Sequence, residues 1–344
     1  MKYPLVSIIL VNWNGKAYIG ECLRSLRKIT YASYEIILVD NASTDGSATY
    51  VKRTFPNVLV VQNKNNVGFA QGHDAGLQAA KGKFVLLLNP DTTVESDFLD
   101  FLVQSIQHDE SIGVVQPKVL LDSEKDRIDS IGAFFLPSGL LYHYGREKME
   151  TMSQYTQPMK IFTAKGVCML IRKSVIEKIG LFDPDYFAYF EETDFCMRVW
   201  LSGWSVWYEP KARIYHQGGA AFGKTITPHI YFHSVKNMVC TYLKNLSLFR
   251  CVTTIPQLVT FHLFGMIFFF LRGKFAISRA ILSGLWWNIR QCTATYHKRQ
   301  RTQCFRRVAD GDYLPAVTKP VGFSYHYHQY FGNLRNYTDY DFTH

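Results

Sequence analysis

The chain has 344 residues, of which 47% are hydrophobic and 19% are charged, and its formal net charge is +10. This composition excludes a disordered chain and indicates an ordered protein with a large core, in one elaborated domain or two. The positive charge suits nucleic acid, anionic lipid or phosphorylated substrates. Nucleic acid is the weakest of these partners, because the sequence has no basic helix with base-reading polar residues and no known module signature.

The cysteines and the N-terminus indicate a cytosolic environment. Seven cysteines are scattered along the chain without a CxxC pair, which indicates reduced thiols. The first apolar run, Leu5 to Val11, is followed by Asn-Trp-Asn-Gly and not by a small-residue cleavage site. It therefore predicts a buried strand, and not a signal peptide.

Strands and helices alternate over about the first 120 residues. Continuous apolar strands are predicted at Leu5–Val11, Glu35–Val39, Val58–Val61 and Phe84–Leu88, with helices at Tyr18–Leu26 and Gly72–Ala80. Strands that are apolar throughout and separated by helices indicate a mostly parallel sheet with helices on both faces. The sequence therefore predicts an α/β fold.

Polar clusters follow three of these strands, at Asn12–Asn14, Asp40–Asp45 and Asn89–Asp91. Ligands of such sheets bind beyond the C-terminal ends of the strands, so we expect the clusters to meet at one crevice. Their oxygen-rich side chains suit a ribose, a base edge and a divalent ion. Each cluster also has a purely structural explanation, because Asp and Asn form turns and cap helices.

The glycine-rich phosphate loops of other nucleotide-binding proteins are missing. The chain has WNGKAY after its first strand, where a dinucleotide-binding protein has GxGxxG, and it has no GxxxxGK[ST]. This excludes a dinucleotide-binding enzyme and disfavours a nucleotidyltransferase. The loop from Asn65 to Gly72 either shapes a nucleotide pocket or only turns the chain.

A second group of candidates lies between Gly166 and His216. A short strand, Val167–Ile171, is followed by a helix that starts near Ser174 and then by an aromatic run that ends in Glu191, Glu192 and Asp194. Carboxylates at a helix N-terminus are stabilised by the helix dipole, so the acidic group is either a helix cap or a catalytic group. His216 follows a strand-like stretch, Ala212–Tyr215.

Seven motifs carry a family resemblance. VSIILVNWNG, VDNASTDGS, NNVGFAQG, LLLNPDT, GVCMLIRKSVIEKIGLFD, FEETDFCMR and YHQGG occur in this order. The chain resembles family 2 glycosyltransferases with the GT-A fold over roughly residues 4 to 245. Within that family it is most similar to rhamnosyltransferase-type enzymes that extend lipid-linked surface glycans.

The resemblance implies roles for individual residues. Nucleotide-sugar binding falls to Asn12, Asn14, Asp40, Asn41, Asp45, Asn66, Gly68, Asn89, Asp91 and Gly166. Asp91 and His216 would hold Mn²⁺ or Mg²⁺, and Glu192 would be the catalytic base with Glu191 and Asp194 beside it. The chain departs from the family at Asn89-Pro-Asp91, where relatives carry DxD, and at Glu192, where many relatives have Asp.

The chemistry agrees with these roles. A cation neutralises a leaving diphosphate, and an imidazole ligand favours Mn²⁺. A single carboxylate base that activates an acceptor hydroxyl opposite the leaving group inverts the anomeric centre. Hydrolysis is disfavoured, because two adjacent glutamates do not predict the roughly 5–9 Å separation of glycosidase carboxyl groups.

The chain becomes more basic and more apolar after about residue 236. The run Cys251–Leu271 has no charged residue, and Phe275–Ile289 contains Arg279 and a Trp pair. The first run could just span a bilayer, whereas basic flanks with tryptophan favour helices that lie in the headgroup layer. The alternative is packing on the catalytic domain or a homodimer interface. We expect His297–Arg307 to face anionic headgroups.

Three regions are predicted: a GT-A domain (1–235), a membrane-associating helical region (236–310) and an aromatic tail without an assigned role (311–344). The predicted activity is inverting transfer of a sugar, rhamnose by resemblance, from a dTDP- or UDP-type donor to a lipid-linked glycan. The site would lie at the cytoplasmic face of the membrane, with peripheral or re-entrant attachment through the C-terminal helices. The alternative from another class is a catalytically silent scaffold or sugar-nucleotide sensor.

Overall fold

The fold is taken from a computed structural model that describes residues 3–218, 227–330, 332–339 and 341. The strands are β1 (Val6–Asn12), β2 (Tyr34–Asp40), β3 (Val58–Gln62), β4 (Phe84–Leu88), β5 (Thr92–Val94), β6 (Ile112–Leu121), β7 (Ile128–Ser130), β8 (Phe134–Phe135), β9 (Leu141–Tyr142), β10 (Met159–Lys160), β11 (Cys168–Arg172) and β12 (Ser205–His216). The helices are α1 (Ile19–Leu26), α2 (Ser47–Thr54), α3 (Gly68–Ala79), α4 (Phe98–His108), α5 (Lys173–Ile179), α6 (Glu191–Leu201), α7 (Pro228–Asn245), α8 (Leu248–Leu271), α9 (Phe275–Arg290), α10 (Cys292–Cys304), α11 (Asp310–Val317) and α12 (Phe323–Tyr330).

The main sheet has the strand order β10-β12-β6-β11-β4-β1-β2-β3, with β5 paired to β12 and β7 paired to β6. The strands β4, β1, β2 and β3 are parallel to one another, as the apolar runs predict. β11 is antiparallel to both of its neighbours, so the complete sheet is mixed. The predicted α/β fold is confirmed, and β4 marks the centre of the sheet.

Alternate residues of the central strands pack into separate cores on the two faces of the sheet. Ile9 and Leu87 belong to one core, whereas Ile8 and Leu86 belong to the other, and all four side chains are fully buried. Because both faces are covered, every position of these strands favours an apolar side chain. This is why the strands are recognisable from the sequence as continuous apolar runs.

The C-terminal helices pack in successive layers, and the first of them packs against α6. α7 packs against α6, α9 packs against α7, and α8 packs against both α7 and α9. Gly284 of α9 permits a close approach, because a Cβ there would lie 3.0 Å from the backbone oxygen of Phe232 in α7. α8 is the one helix among the described residues that is long and apolar enough to cross a membrane.

One expectation about the C-terminal half is wrong in part. The basic stretch His297–Arg307 was expected to face lipid, but Lys298 forms ion pairs with Asp183 (2.5 Å) and Asp185 (2.6 Å). Arg299 donates hydrogen bonds to carbonyl groups at the end of α7. Carboxylates and helix-end carbonyls of the protein itself bind these cations, which the sequence could not show. The predicted division at residues 235 and 310 stays a prediction.

Candidate active site

A pocket of about 600 Å³ opens beyond the C-terminal ends of β1, β2 and β4. Several elements contribute to its wall, including the loops after these strands, the start of α6 and one side of α7. The predicted site residues that line it are Asn41, Asn66, Gly68, Asn89, Asp91, Gly166, Glu191, Glu192 and His216. The structure thus brings together residues from six separate motifs of the sequence.

The other predicted nucleotide-sugar residues do not line this pocket, in the part of the chain that the structure describes; they are Asn12, Asn14, Asp40 and Asp45. They form hydrogen bonds that hold the loops after β1 and β2 together. Asn12 Nδ2 donates to Asp40 Oδ1 (3.2 Å) and to Ser47 Oγ (2.8 Å), and Asp45 accepts from the backbone N–H of Lys16 (2.8 Å). These four residues therefore support the loops beneath the nucleotide side of the pocket.

Gly68 permits a close contact that shapes the same side. Its φ is +81°, and a Cβ there would lie 2.4 Å from the backbone oxygen of Phe187. Asn41 Nδ2 donates to the Gly68 carbonyl (2.9 Å), and the next N–H, of Phe69, donates to Phe187 O (2.7 Å). The loop from Asn65 to Gly72 thus both turns the chain and lines the pocket, so the two roles that its sequence suggested are not alternatives.

Strand pairing brings the two predicted metal ligands together. β5 is antiparallel to β12, and its Thr92 is paired with His216, so Asp91 lies directly beside the histidine. Asp91 Oδ2 is 3.5 Å from His216 Nε2. The opposite ring nitrogen, Nδ1, lies 2.8 Å from Asp129 Oδ2. His216 is therefore held between two carboxylates, of which only Asp91 lines the pocket.

This arrangement fits a divalent cation. An Nδ1–H that donates to Asp129 leaves the Nε2 lone pair on the side of Asp91, as in carboxylate–histidine–metal triads. Although burial acts the other way, the hydrogen bonds to Asp129 and Asp91 raise the pKa of His216 to about 9 when no metal is bound, so a cation would have to replace the proton on Nε2. Among the described residues, no three His, Cys, Asp or Glu side chains group to hold a metal by themselves. Two protein ligands leave coordination positions for phosphate oxygens and water, as Mg²⁺ and Mn²⁺ sites with nucleotides require.

Asp129 is a site residue that the sequence analysis missed. Burial opposes its ionisation, but the His216 hydrogen bond and the charge of Lys165 lower the pKa of Asp129 to about 2. Its local sequence gives no signal, because Asp129 lies in the short strand β7, between the buried Ile128 and Ser130, and belongs to no recognisable motif. Only the pairing of β7 with β6, which also pairs with β12, brings it to His216.

A strained turn directs the acidic residues into the pocket. Tyr189 and Phe190, just before α6, both have a left-handed backbone, with φ of 70° and 71°. Non-glycine residues rarely adopt this conformation unless their surroundings hold them there. Asn237 of α7 does so, because its Nδ2 donates to the backbone oxygens of Ala188 (3.0 Å) and Tyr189 (2.6 Å).

Glu191 and Glu192 differ in their surroundings. Glu191 is 5% exposed, and its Oε2 has no hydrogen-bond partner within the described part of the chain. Burial, followed by the charge of Glu192, raises the pKa of Glu191 well above its usual range. Burial also raises the pKa of Glu192, but the nearby Lys165 opposes this effect. Lys165, another residue that the sequence analysis missed, lines the pocket as well.

Asp194 does not line the pocket, as far as the structure describes its wall. It is fully buried and forms ion pairs with Arg198 (3.0 Å) and Lys244 (3.0 Å), and it accepts a hydrogen bond from Asn245 (2.8 Å). Burial acts against ionisation, but Lys244 and Arg198 lower the pKa of Asp194. Its partners are thus all structural, and it joins α6 to α7.

An α/β sheet with a carboxylate–histidine pair and two further carboxylates in one pocket beyond its strands is the arrangement that the resemblance to GT-A transferases predicts. The sequence profile of glycosyl transferase family 2 matches residues 7–180, and the chain belongs to this family. It is a glycosyltransferase family 2 enzyme.

Relatives and solved structures agree with this assignment. The chain is 23% identical to an N-acetylglucosaminyl-diphospho-decaprenol L-rhamnosyltransferase of Mycobacterium tuberculosis, over 67% of this chain and 81% of that protein. It is also 23% identical to a poly-beta-1,6-N-acetyl-D-glucosamine synthase of Staphylococcus aureus, over 60% of this chain and 48% of that one.

Two solved structures show the same fold. GalNAc-T7 with UDP, GalNAc and Mn²⁺ has a TM-score of 0.56 at 20% identity and covers 70% of this chain and 48% of its own. The mannosyltransferase PcManGT from Pyrobaculum calidifontis, with GDP-Man and Mn²⁺, has a TM-score of 0.53 at 16% identity and covers 88% and 87%. At these identities the likeness concerns the GT-A fold, which was the predicted one.

Proposed function

We propose that this enzyme transfers a sugar from a nucleoside diphosphate to a hydroxyl of a lipid-linked glycan, with inversion, in cell-surface polysaccharide assembly. The observation that supports it best is the pairing of Asp91 with His216 in the same pocket as Glu191 and Glu192. The mycobacterial relative is named for rhamnosyl transfer to a diphospho-decaprenol acceptor. Rhamnose from a dTDP- or UDP-type donor is accordingly the first sugar to test.

Glu192 is the proposed base. Its carboxylate takes the proton of the acceptor hydroxyl while the hydroxyl oxygen forms a bond to the anomeric carbon. The bond from that carbon to the donor diphosphate breaks, and its electron pair leaves with the diphosphate. Burial that raises the pKa of Glu192 makes it a stronger base at neutral pH.

The two adjacent glutamates take different protonation states in this proposal. Two carboxylates that share a site do not ionise together readily, and the more buried one keeps its proton. Glu191 is the one whose pKa is raised well above its usual range. It would therefore stay neutral and bind substrate by hydrogen bonds, while Glu192 carries the charge that the reaction needs.

Asp91 and His216 would hold the divalent metal, Mn²⁺ or Mg²⁺, and Asp129 would orient His216. The bound cation would neutralise charge on the leaving diphosphate. Asn41, Asn66 and Gly68 would form the wall beside the nucleoside, with Asp40 and its partners as supports.

Attachment to the membrane surface through α8 and α9 completes the proposal. α8 exposes Phe249, Val252, Phe264, Ile267 and Phe270, and α9 adds Phe275, Leu282, Trp286 and Ile289. The opposite side of α8 lies against the protein along much of its length, at Thr254, Leu258 and His262. Ser278 Oγ also donates to the backbone oxygen of Met266 near the far end of α8 (2.8 Å).

A helix fixed in this way lies along the protein, so we propose that α8 rests in the headgroup layer and does not cross it. The exposed cations Arg272 and Lys274 between α8 and α9 suit anionic lipid. α8 also contacts Gly139, next to the pocket residues Leu140 and Leu141. A lipid-linked acceptor at this surface would therefore be close to the pocket, on the cytoplasmic side where the free cysteines stay reduced.

Donor binding tests this function. Calorimetric titration with dTDP-rhamnose, UDP-galactose, UDP-N-acetylglucosamine and GDP-mannose, each with and without Mn²⁺, should give one Mn²⁺-dependent donor. Asp91→Ala should abolish the Mn²⁺ dependence, and Asp129→Asn should weaken Mn²⁺ binding about 10- to 100-fold, because the imidazole loses its orienting carboxylate. Asp122→Asn serves as a control for the loss of a nearby carboxylate. Absence of binding to every donor in folded protein would favour the silent scaffold or sensor.

A further inference from the structure

The C-terminal tail, here residues 323–330 and 332–339, is fastened to the domain by a buried carboxylate. Asp339 is 8% exposed and accepts hydrogen bonds from the hydroxyls of Tyr142 and Tyr155 (2.7 Å for Tyr155) and from the N–H of Gly145 (2.9 Å). Lys148 donates to the backbone oxygens of Leu334, Arg335 and Tyr337. Charged groups that accept or donate several buried hydrogen bonds fix a segment firmly. The tail is therefore an integral part of the fold.

All these contacts fall on one part of the domain, residues 124–155, which we name the wall segment. The wall segment supplies Asp129 to His216 and lines the pocket with Leu140, Leu141 and His143. The tail holds it close to the pocket as well, because the N–H of His143 donates to the hydroxyl of Tyr325 (3.0 Å). The Tyr325 ring packs edge-on against Tyr142, at 4.8 Å between centroids.

The tail also reaches the pocket itself. Gln329 of α12 lines the pocket on the side of Leu140, Leu141 and His143. Its Oε1 is buried and has no hydrogen-bond partner among the residues that the structure describes. Buried polar atoms are nearly always hydrogen-bonded, so an orphaned oxygen in a pocket indicates a donor group on a ligand. Glu191 Oε2 is a second orphaned oxygen in the same pocket.

Sheet topology places the tail opposite the nucleoside side. β1, β2 and β3 lie on one side of β4, whereas β11, β6 and β12 lie on the other. Asn41 and Gly68 belong to the first side, and the wall segment is joined through β7 to β6 on the second. Asp91 follows the central strand β4, so the leaving diphosphate would lie between the two sides.

We propose that the tail forms the acceptor side of the pocket, with Gln329 as the residue that accepts a hydrogen bond from a hydroxyl of the acceptor glycan and Asp339 as the anchor that positions it. This proposal rests on the proposed function, since it assigns the second substrate of the same pocket. A polyhydroxylated sugar supplies an O–H donor for Gln329 Oε1, and its hydroxyls can also pair with the protonated carboxyl group of Glu191. It also gives a role to the aromatic tail, whose sequence had none.

The test separates acceptor binding from donor binding. The probe acceptor is N-acetylglucosaminyl-diphospho-polyprenol, and the donor is the one that the wild type binds. Gln329→Ala should raise the acceptor KM about tenfold, which corresponds to one lost hydrogen bond. Donor affinity, measured by calorimetry, should change less than twofold. Gln329→Glu keeps an accepting oxygen and should restore much of the acceptor KM, and Ser324→Ala, on an exposed position of α12, is the control.

A second variant, at the anchor residue Asp339, tests the same proposal independently. Asp339→Ala should make the tail sensitive to protease and raise the acceptor KM at least as much as Gln329→Ala, with a smaller loss of donor affinity, because the wall segment that Asp339 fastens also carries Asp129. A normal acceptor KM in Gln329→Ala, or equal losses for donor and acceptor in Asp339→Ala, would overturn the assignment of the tail. Failure of the wild type to bind any donor would instead overturn the proposed function, and the tail assignment with it.

Discussion

The helices α6 and α8 reverse the usual relation between polarity and burial. Nearly all of α6 is buried although it carries Glu191, Asp194 and Arg198, whereas α8 has no charged residue after Arg250 and buries only Thr254, Leu258 and His262. Ordinary globular helices bury their apolar face and expose their charges. A helix that does the opposite indicates either a site or a partner.

The reversal has a different cause in each of the two helices. The buried charges of α6 are either paired, as Asp194 is with Lys244 and Arg198, or directed into the pocket, as Glu191 is. The exposed apolar side chains of α8 lie on one side of the helix. Apolar residues grouped in this way mark an interaction surface, whereas apolar residues that are exposed singly need no explanation. α6 thus accepts a cost in stability to hold the proposed catalytic groups, and the exposed apolar surface of α8 is the one that we propose contacts lipid.

The largest expected effect is on the reactive group of α6. Glu192→Gln should lower the transfer rate about 10²- to 10⁴-fold, because the hydroxyl loses its general base, while donor affinity stays unchanged. Steady-state kinetics with calorimetry of the donor would measure both. Glu177→Gln, at an exposed position of α5, is the matched control. Normal turnover in Glu192→Gln would show that the base is another group.

A second prediction concerns Lys244 of α7, which forms an ion pair with Asp194 of α6. Lys244 lies 2.5 Å from Asp183 and 3.0 Å from Asp194, and its side chain is 4% exposed. Lys244→Met should lower the free energy of unfolding by about 3–5 kcal/mol, because two carboxylates lose their buried partner. Urea denaturation would measure this loss. Lys298→Met removes a more exposed partner of Asp183 and should cost clearly less; equal costs would argue against the role of burial.

The apolar stripe of α8 gives the third prediction. Phe264→Asp or Ile267→Asp should each weaken binding to phosphatidylglycerol vesicles about tenfold or more, because an anchoring side chain no longer enters the lipid. Vesicle flotation would measure it, with Leu59→Asp on β3 as the control for an exposed apolar residue elsewhere. Resistance to alkaline carbonate extraction would indicate a spanning helix. A wild-type dimer that Phe264→Asp dissociates, without vesicle binding, would indicate a homodimer interface.

The smallest effect concerns stability and pH at Glu191. Because its folded pKa is raised, the folded protein keeps a proton that the unfolded chain releases above a pH of about 4.5. Stability therefore falls as pH rises from that value toward the folded pKa. Glu191→Gln lacks this loss, so it should be equally stable in mild acid and gain on the wild type by about 1 kcal/mol for each pH unit above that value, until Glu191 ionises. Thermal denaturation across this pH range would check it; a constant difference would show that Glu191 ionises normally.

Much of the site could be predicted, because local sequence marks it. Asp91 and His216 each end a recognisable strand, and Glu191 and Glu192 begin a helix with a clear period. Asp40 was also found, but as a support and not as a pocket residue. The sequence could not separate these two positions, because a carboxylate after a strand has the same local pattern whether it faces a ligand or its neighbouring loop.

Asp129, Lys165 and Gln329 could not be predicted for a different reason. Each lies in a stretch without a motif. Asp129 reaches His216, and Lys165 and Gln329 reach the pocket, through pairing or packing with residues far away in the chain. The partners of Lys298 and Lys244 are of the same kind, since Asp183 approaches both only after α7 and α10 pack together. Charge runs in the sequence therefore gave no reliable indication of which cations face solvent.

The sequence by itself determined the α/β architecture, the parallel strands of its first half and the family, because cores on both faces of a sheet require continuous apolar strands and because the candidate site residues follow strand ends. Tertiary structure decided which carboxylate orients His216, which glutamate is buried deeper, and that the aromatic tail returns to the pocket. The physical reason is that hydrogen bonds and desolvation depend on neighbours in space. Asp129 and Asp339 acquire their partners only when β7 pairs with β6 and the tail closes over the wall segment.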